Sequence, residues 1–147
     1  MRRSLILLMS LCLCAAVLAV VGCGGGGDKS ASPEQVVEKF VKAALAGDAD
    51  TAYSLITEGS KGEVENKEDL VEGVGEGVSE YSVGKSSISG DTARVQTSLT
   101  LKDLDFKMEF EMVLVKEGGA WKIDLKQTQT EMEKAVEEYM KQFETSE

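Results

Sequence analysis

The chain has 147 residues, 42% hydrophobic and 29% charged, which suits one globular domain and leaves no room for two. With a formal charge of −10 and no histidine, it lacks the commonest general base and metal ligand at neutral pH, and its surface repels nucleic acid and anionic membrane. All three cysteines, Cys12, Cys14 and Cys23, fall in the first 23 positions, which excludes a disulfide framework, a thiol nucleophile and a cysteine-rich metal site in the rest.

In chain order, the first element is an address. Met1, Arg2 and Arg3 make a positive start, an apolar run from Leu5 to Val21 is broken only by Ser10, and Gly22 precedes Cys23. This is the layout of a secretory signal, in which Cys12 and Cys14 are small apolar residues. A run of this length also suffices to cross a bilayer, which takes roughly 17 to 25 residues. Val20-Val21-Gly22-Cys23 separates the two readings, because it resembles the lipobox of bacterial lipoproteins: aliphatic, small or aliphatic, Gly or Ala, then Cys. That resemblance implies cleavage of residues 1–22 between Gly22 and Cys23, a diacylglyceryl group on the Cys23 thiol, and often a further acyl chain such as palmitate on its amine. A single chain binds membrane only with about 10⁴ M⁻¹, whereas two or three anchor stably. Cleavage removes Arg2 and Arg3 and no carboxylate, which leaves −12. Residues 23–31, the cysteine followed by "GGGGDKSA", then read as a flexible tether. The expected location is the extracytoplasmic side of the cell membrane. The outer membrane is open in a cell with two membranes, since Gly24, not Asp, follows the cysteine.

Ser32, Pro33 and Gln35 mark the start of a helix, Val36, Val37, Phe40, Val41, Ala44 and Leu45 form its apolar stripe, and Gly47 ends it. Asp48 caps a second helix, with Ala49, Ala52, Tyr53 and Ile56 on one face, that is expected to end near Gly59. A third is expected over Asn66–Glu80, short or frayed because Gly73, Gly75 and Gly77 each cost about 1 kcal/mol relative to Ala. From Tyr81 the period changes to two. A strand runs to the turn at Gly90-Asp91, and a second alternates Ala93, Val95, Thr97, Leu99 and Leu101. A third alternates Leu104, Phe106, Met108, Phe110, Met112 and Leu114, and a fourth, after Gly118-Gly119, carries Trp121, Ile123 and Leu125. Each strand has one wet face, so the sheet is antiparallel with helices on the other side. Thr130 and Glu133 form a capping box for a strongly amphipathic last helix carrying Met132, Ala135, Val136, Tyr139, Met140 and Phe143.

Helices followed by a strand meander make an α+β fold: N-terminal helices on a curved antiparallel sheet of about four strands, plus a C-terminal amphipathic helix. Pro33, Val37, Phe40, Ala44, Gly47-Asp48, Ala52 and the late Gly119, Trp121, Lys122 and Ile123 resemble the nuclear-transport-factor-2-like superfamily. Within it they are most similar to small bacterial lipoproteins with a lumazine-binding-like domain of no assigned function. The likeness covers residues 32–127 and implies a cone-like domain there. Residues 128–147, the C-terminal helix, lie outside it and either pack across the cone or pair with another chain.

Enzymes of this superfamily, isomerase- or dehydratase-like, place Asp, Tyr or His inside the cone, where an apolar wall raises a carboxylate's pKa. Here Asp105, Glu109 and Glu111 alternate out of phase with Phe106 and Phe110 and read as a solvated face, as does Asp124 between Ile123 and Leu125. The acidic runs "EVENKED" and "EKAVEEY" lack the order of a calcium loop, so no metal site and no cofactor are expected. Phe40, Tyr53, Phe106, Met108, Phe110, Met112 and Trp121 either line an apolar pocket or are simply the core. The expectation is a membrane-anchored, non-catalytic binding or interaction domain, with a small apolar ligand or a protein as partner. An isomerase- or dehydratase-like enzyme and a structural envelope lipoprotein are the alternatives.

Overall fold

The computed structural model describes residues 28–72, 74–102 and 106–144, the last three by backbone only, so the expected signal, Gly22 and Cys23 lie outside the described residues. Helix α1 (Pro33–Ala46) starts as its sequence predicts. The Ser32 hydroxyl accepts from the Gln35 N–H, the Ser32 N–H donates back to the Gln35 side chain, and Gly47 closes the helix at φ 71°. Its buried Val36, Val37 and Val41 meet the sheet in one core.

Helix α2 (Ala49–Ser54) is capped by Asp48, whose carboxylate accepts the Thr51 N–H. It stops well short of Gly59. Leu55 leaves the helix so that Ile56 can bridge Ile123 in parallel, with the Ile123 N–H donating to the Leu55 carbonyl and the Thr57 N–H to the Ile123 carbonyl. This edge pairing buries both Leu55 and Ile56, which a continued surface helix would not do. Helix α3 (Glu58–Glu63) follows, capped by Thr57.

The third helix expected over Asn66–Glu80 is reduced to a 3₁₀ turn, Lys67–Leu70, and a four-residue α4 (Val74–Gly77). Val78 to Glu80 join the first strand instead, which starts three residues before Tyr81. Gly75 has a packing reason as well as a propensity cost: a Cβ there would lie 2.6 Å from the Leu45 carbonyl oxygen. Its bare backbone is what lets α4 meet the end of α1.

Strands β1 (Val78–Ser89), β2 (Thr92–Leu101), β3 (Phe106–Glu117) and β4 (Ala120–Ile123) form one antiparallel sheet in the order β1-β2-β3-β4. The β3–β4 hairpin turns on Gly118 and Gly119, both at positive φ. The register pairs Leu99 with Met108, Thr97 with Phe110, Val95 with Met112 and Ala93 with Leu114, which puts the expected alternating residues on one face. Ser98 with Glu109 and Gln96 with Glu111 occupy the other face. β1 carries an irregularity between Val83 and Ser86. There Glu34, in the first turn of α1, accepts from both the N–H and the hydroxyl of Ser86, at 2.9 and 2.5 Å.

The last helix, α5 (Leu125–Glu144), begins five residues before the expected cap at Thr130. Asp124 is the cap: its carboxylate accepts from the Gln127 N–H and from the Gln127 amide. Thr130 lies inside the helix, its hydroxyl on the Lys126 carbonyl, and Leu125 belongs to the helix rather than to β4. Since β4 pairs only with Leu114–Glu117, the rest of that edge of β3 has no strand beside it among the described residues. α5 runs antiparallel along that stretch, with the Thr128 hydroxyl accepting the Val113 N–H near its start and Tyr139 against Phe106 near its end.

Candidate functional site

Two kinds of side chain meet where α5 lies along β3. Alternation turns Met108 toward the core face of β3, and the helical repeat turns Met132 and Val136 toward β3. The result is a groove of about 430 Å³ lined by Met108, Gln129, Met132, Glu133, Val136 and Glu137. Its floor is apolar and its polar groups all come from one flank of α5, where positions 129, 133 and 137 are spaced by four. The Gln129 amide donates to Glu133 at 2.9 Å, and Lys141 sits 2.7 Å from Glu137. Lys141 and Glu137 reinforce each other: the carboxylate raises the amine's pKa, and the amine lowers the carboxyl's.

The opposite flank of α5 is fastened down. Glu131 receives Arg94 of β2 at 3.1 Å and Lys134 at 3.0 Å, and Arg94 also reaches Glu111 of β3 at 3.1 Å. These hydrogen bonds, Lys134 first and then Arg94, hold the Glu131 carboxyl below the usual carboxylate range. At the Phe106 end the two aromatic rings of Phe106 and Tyr139 lie 4.2 Å apart at 52°. Val136, on the groove floor, and Met140, one turn further along α5, remain 45% and 58% exposed, high values for large apolar side chains.

Of the seven residues read from sequence as pocket lining or core, Phe110, Met112 and Trp121 are buried in the core shared with α1. Phe40, Tyr53 and Phe106 pack against that core half-buried, and Met108 alone is both a core residue and part of the groove. The Lys116 amine, on the residue paired with Trp121 across β3 and β4, stands 4.9 Å from the Trp121 ring centroid, a cation–π contact. Gln129, Met132, Glu133, Val136 and Glu137 were not singled out as a site. Their signal was the two adjacent rows at four-residue spacing on one amphipathic helix.

Several ionisable groups of the sheet have structural partners. Glu109 is exposed and pairs with Lys107, Glu111 pairs with Arg94, and Asp105 lies outside the described residues. Lys122, only 7% exposed, donates to the carbonyl of Ser54, the last residue of α2. Burial, with Lys61 nearby, pushes its amine below the usual lysine range, and a cation at a helix C-terminus is well placed. Thr97, a buried polar residue on the core face of β2, has its hydroxyl donating to the Val95 carbonyl. Among the described residues, no three carboxylate or cysteine side chains converge as metal ligands, and no helix is long and apolar enough to cross a membrane.

Compared with known proteins, the chain matches the family described as the NTF2-like N-terminal transpeptidase domain over residues 32–146, a span that includes α5. No curated protein matches it significantly. Among solved structures it is similar to a crystal structure from Campylobacter jejuni described as an NTF2-like transpeptidase. The two are 19% identical with a TM-score of 0.46, over 63% of this chain and 97% of that one.

Proposed function

We infer the function of this chain from the family it belongs to, that of the NTF2-like N-terminal transpeptidase domain, and from the groove between β3 and α5. The chain is a non-catalytic binding module held by lipid on Cys23 at the extracytoplasmic face of a membrane, and the groove is its binding site. The observation that carries the binding role is the groove itself: an apolar floor of Met108, Met132 and Val136 with hydrogen-bonding groups along one rim. Recognition sites commonly combine these features at this size. Methionines suit such a floor because an unbranched thioether adapts to more than one shape.

The family's name attaches transpeptidases to this domain type, and that activity is said of the proteins so named. For this chain a binding role accounts better for the residues present. Isomerase-like chemistry calls for an ionisable group facing an apolar cavity, whereas the core face of β2 and β3 presents Ala93, Val95, Leu99, Met108, Phe110, Met112 and Leu114, with Thr97 hydrogen-bonded to its own strand. The anchored location rests on Val20-Val21-Gly22-Cys23 and the apolar run before it. Nuclear magnetic resonance of methyl-labelled methionines tests the site, with the full chain in nonionic detergent and indole as the added apolar molecule. The Met108 and Met132 methyl signals should move with saturation, while Met112, in the closed core, should stay. Equal small drifts of all three would reject the groove as a site.

A further inference from the structure

We propose that the β3–α5 groove takes a polypeptide segment that sets an apolar side chain between flanking lysines or arginines. This rests on the reading that the groove is the binding site. The charged groups lining it are Glu133 and Glu137, both carboxylates. The helix sorts its charges by flank. Lys134 and Arg94 converge on Glu131, so positive charge on that side is already neutralised. On the groove side Glu133 takes a hydrogen bond from the uncharged Gln129 amide, and Lys141 is the cation beside Glu137. The rim is thus more negative than the flank that fastens α5, on a chain whose formal charge is −10. A basic partner is drawn in by that field and an acidic one is turned away.

The floor sets the other half of the specificity. About 430 Å³ between Met108, Met132 and Val136 exceeds what one aliphatic side chain fills, and Met140 extends the apolar surface beyond it. An extended or helical segment with one large apolar residue and its neighbour fits such a space. A second copy of the chain is disfavoured because it would bring two strongly acidic molecules together, and an anionic lipid surface is disfavoured on the same ground. A neutral small molecule would leave the rim carboxylates without a role.

The test uses the full chain in nonionic detergent, the same methionine methyl signals, and three synthetic peptides of sequence Lys-Leu-Phe-Lys, Gln-Leu-Phe-Gln and Glu-Leu-Phe-Glu. The lysine peptide should shift Met108 and Met132 at the lowest concentration, and raised salt should weaken it. Replacing both rim residues, Glu133→Gln with Glu137→Gln, should weaken the lysine peptide roughly fivefold and leave the glutamine peptide unchanged, as expected for two rim charges. These conservative changes sit on exposed positions of α5, so folding is preserved and is checked by the unshifted Met112 signal. If the glutamine peptide and indole bind as well as the lysine peptide, the basic partner is wrong and the groove reading stands. When none of the probes moves Met108 or Met132, the groove reading has failed as well. Concentration-dependent shifts without peptide, with dimers in sedimentation, would put a second copy in the groove. Shifts with phosphatidylglycerol vesicles alone would put lipid there. Either result overturns the proposal.

Discussion

Glu34 ties the first turn of α1 to the irregular middle of β1, and its chemistry gives the domain an acid limit. Hydrogen bonding, first from the Ser86 hydroxyl, holds its carboxyl at about 2 in place of the ordinary 4.5. The folded state therefore favours the ionised form, so the contribution is full above about pH 4.5 and is lost as pH falls toward 2. Glu34→Gln should lower stability at pH 7 and flatten the loss between those two pH values. Urea denaturation across that range checks it, and an unchanged acid limb in the variant would remove Glu34 as the cause. At Gly75 the deciding effect is steric. Alanine normally gains about 1 kcal/mol over glycine in a helix, yet its Cβ would sit 2.6 Å from the Leu45 carbonyl oxygen. Moving backbone to relieve such overlap costs about 1–3 kcal/mol, so Gly75→Ala should destabilise by about 1 kcal/mol in the same assay, and Gly77→Ala, with open space around it, should not. Gly47 and Asp48 were legible from sequence because a cap acts over three or four residues. The role of Gly75 was not, because the atom it avoids is thirty positions earlier in the chain.

The alternation of β2 and β3 was readable element by element, since a period of two with one buried face permits one register. The start of α5 was not. Leu125 continues the apolar alternation of Trp121 and Ile123, and Thr130 with Glu133 offers a cap that the chain does not use. The cap it uses, Asp124 with Gln127, has the same spacing and was present in the sequence. Burial decides between the two, because starting at Leu125 places Thr128 at the bare part of β3. Thr128 is 4% exposed and its hydroxyl satisfies the buried Val113 N–H at 3.0 Å. Leaving a buried donor unpaired costs about 1–3 kcal/mol. Thr128→Val should destabilise by that amount and speed hydrogen exchange at the Val113 amide, and Thr128→Ser should restore most of both. Normal exchange at Val113 in the valine variant would mean that this bond does not dock the helix.

At the scale of the whole molecule, one core joins α1, the sheet and the inner side of α5, and the chain's acidic charge lies around it. Fold class followed from the order of periodicities along the chain, which local residues determine. The groove did not, because it exists only where an edge of β3 and a flank of α5 meet, and each of its apolar residues reads as core on its own element. The location we propose depends on Cys23, five positions before the first described residue. Mass spectrometry of the protein extracted from membranes tests it most directly. A chain that begins at Cys23 and carries the mass of a diacylglyceryl group is the expected result; a chain that retains residues 1–22, or begins at Cys23 without lipid, would contradict it.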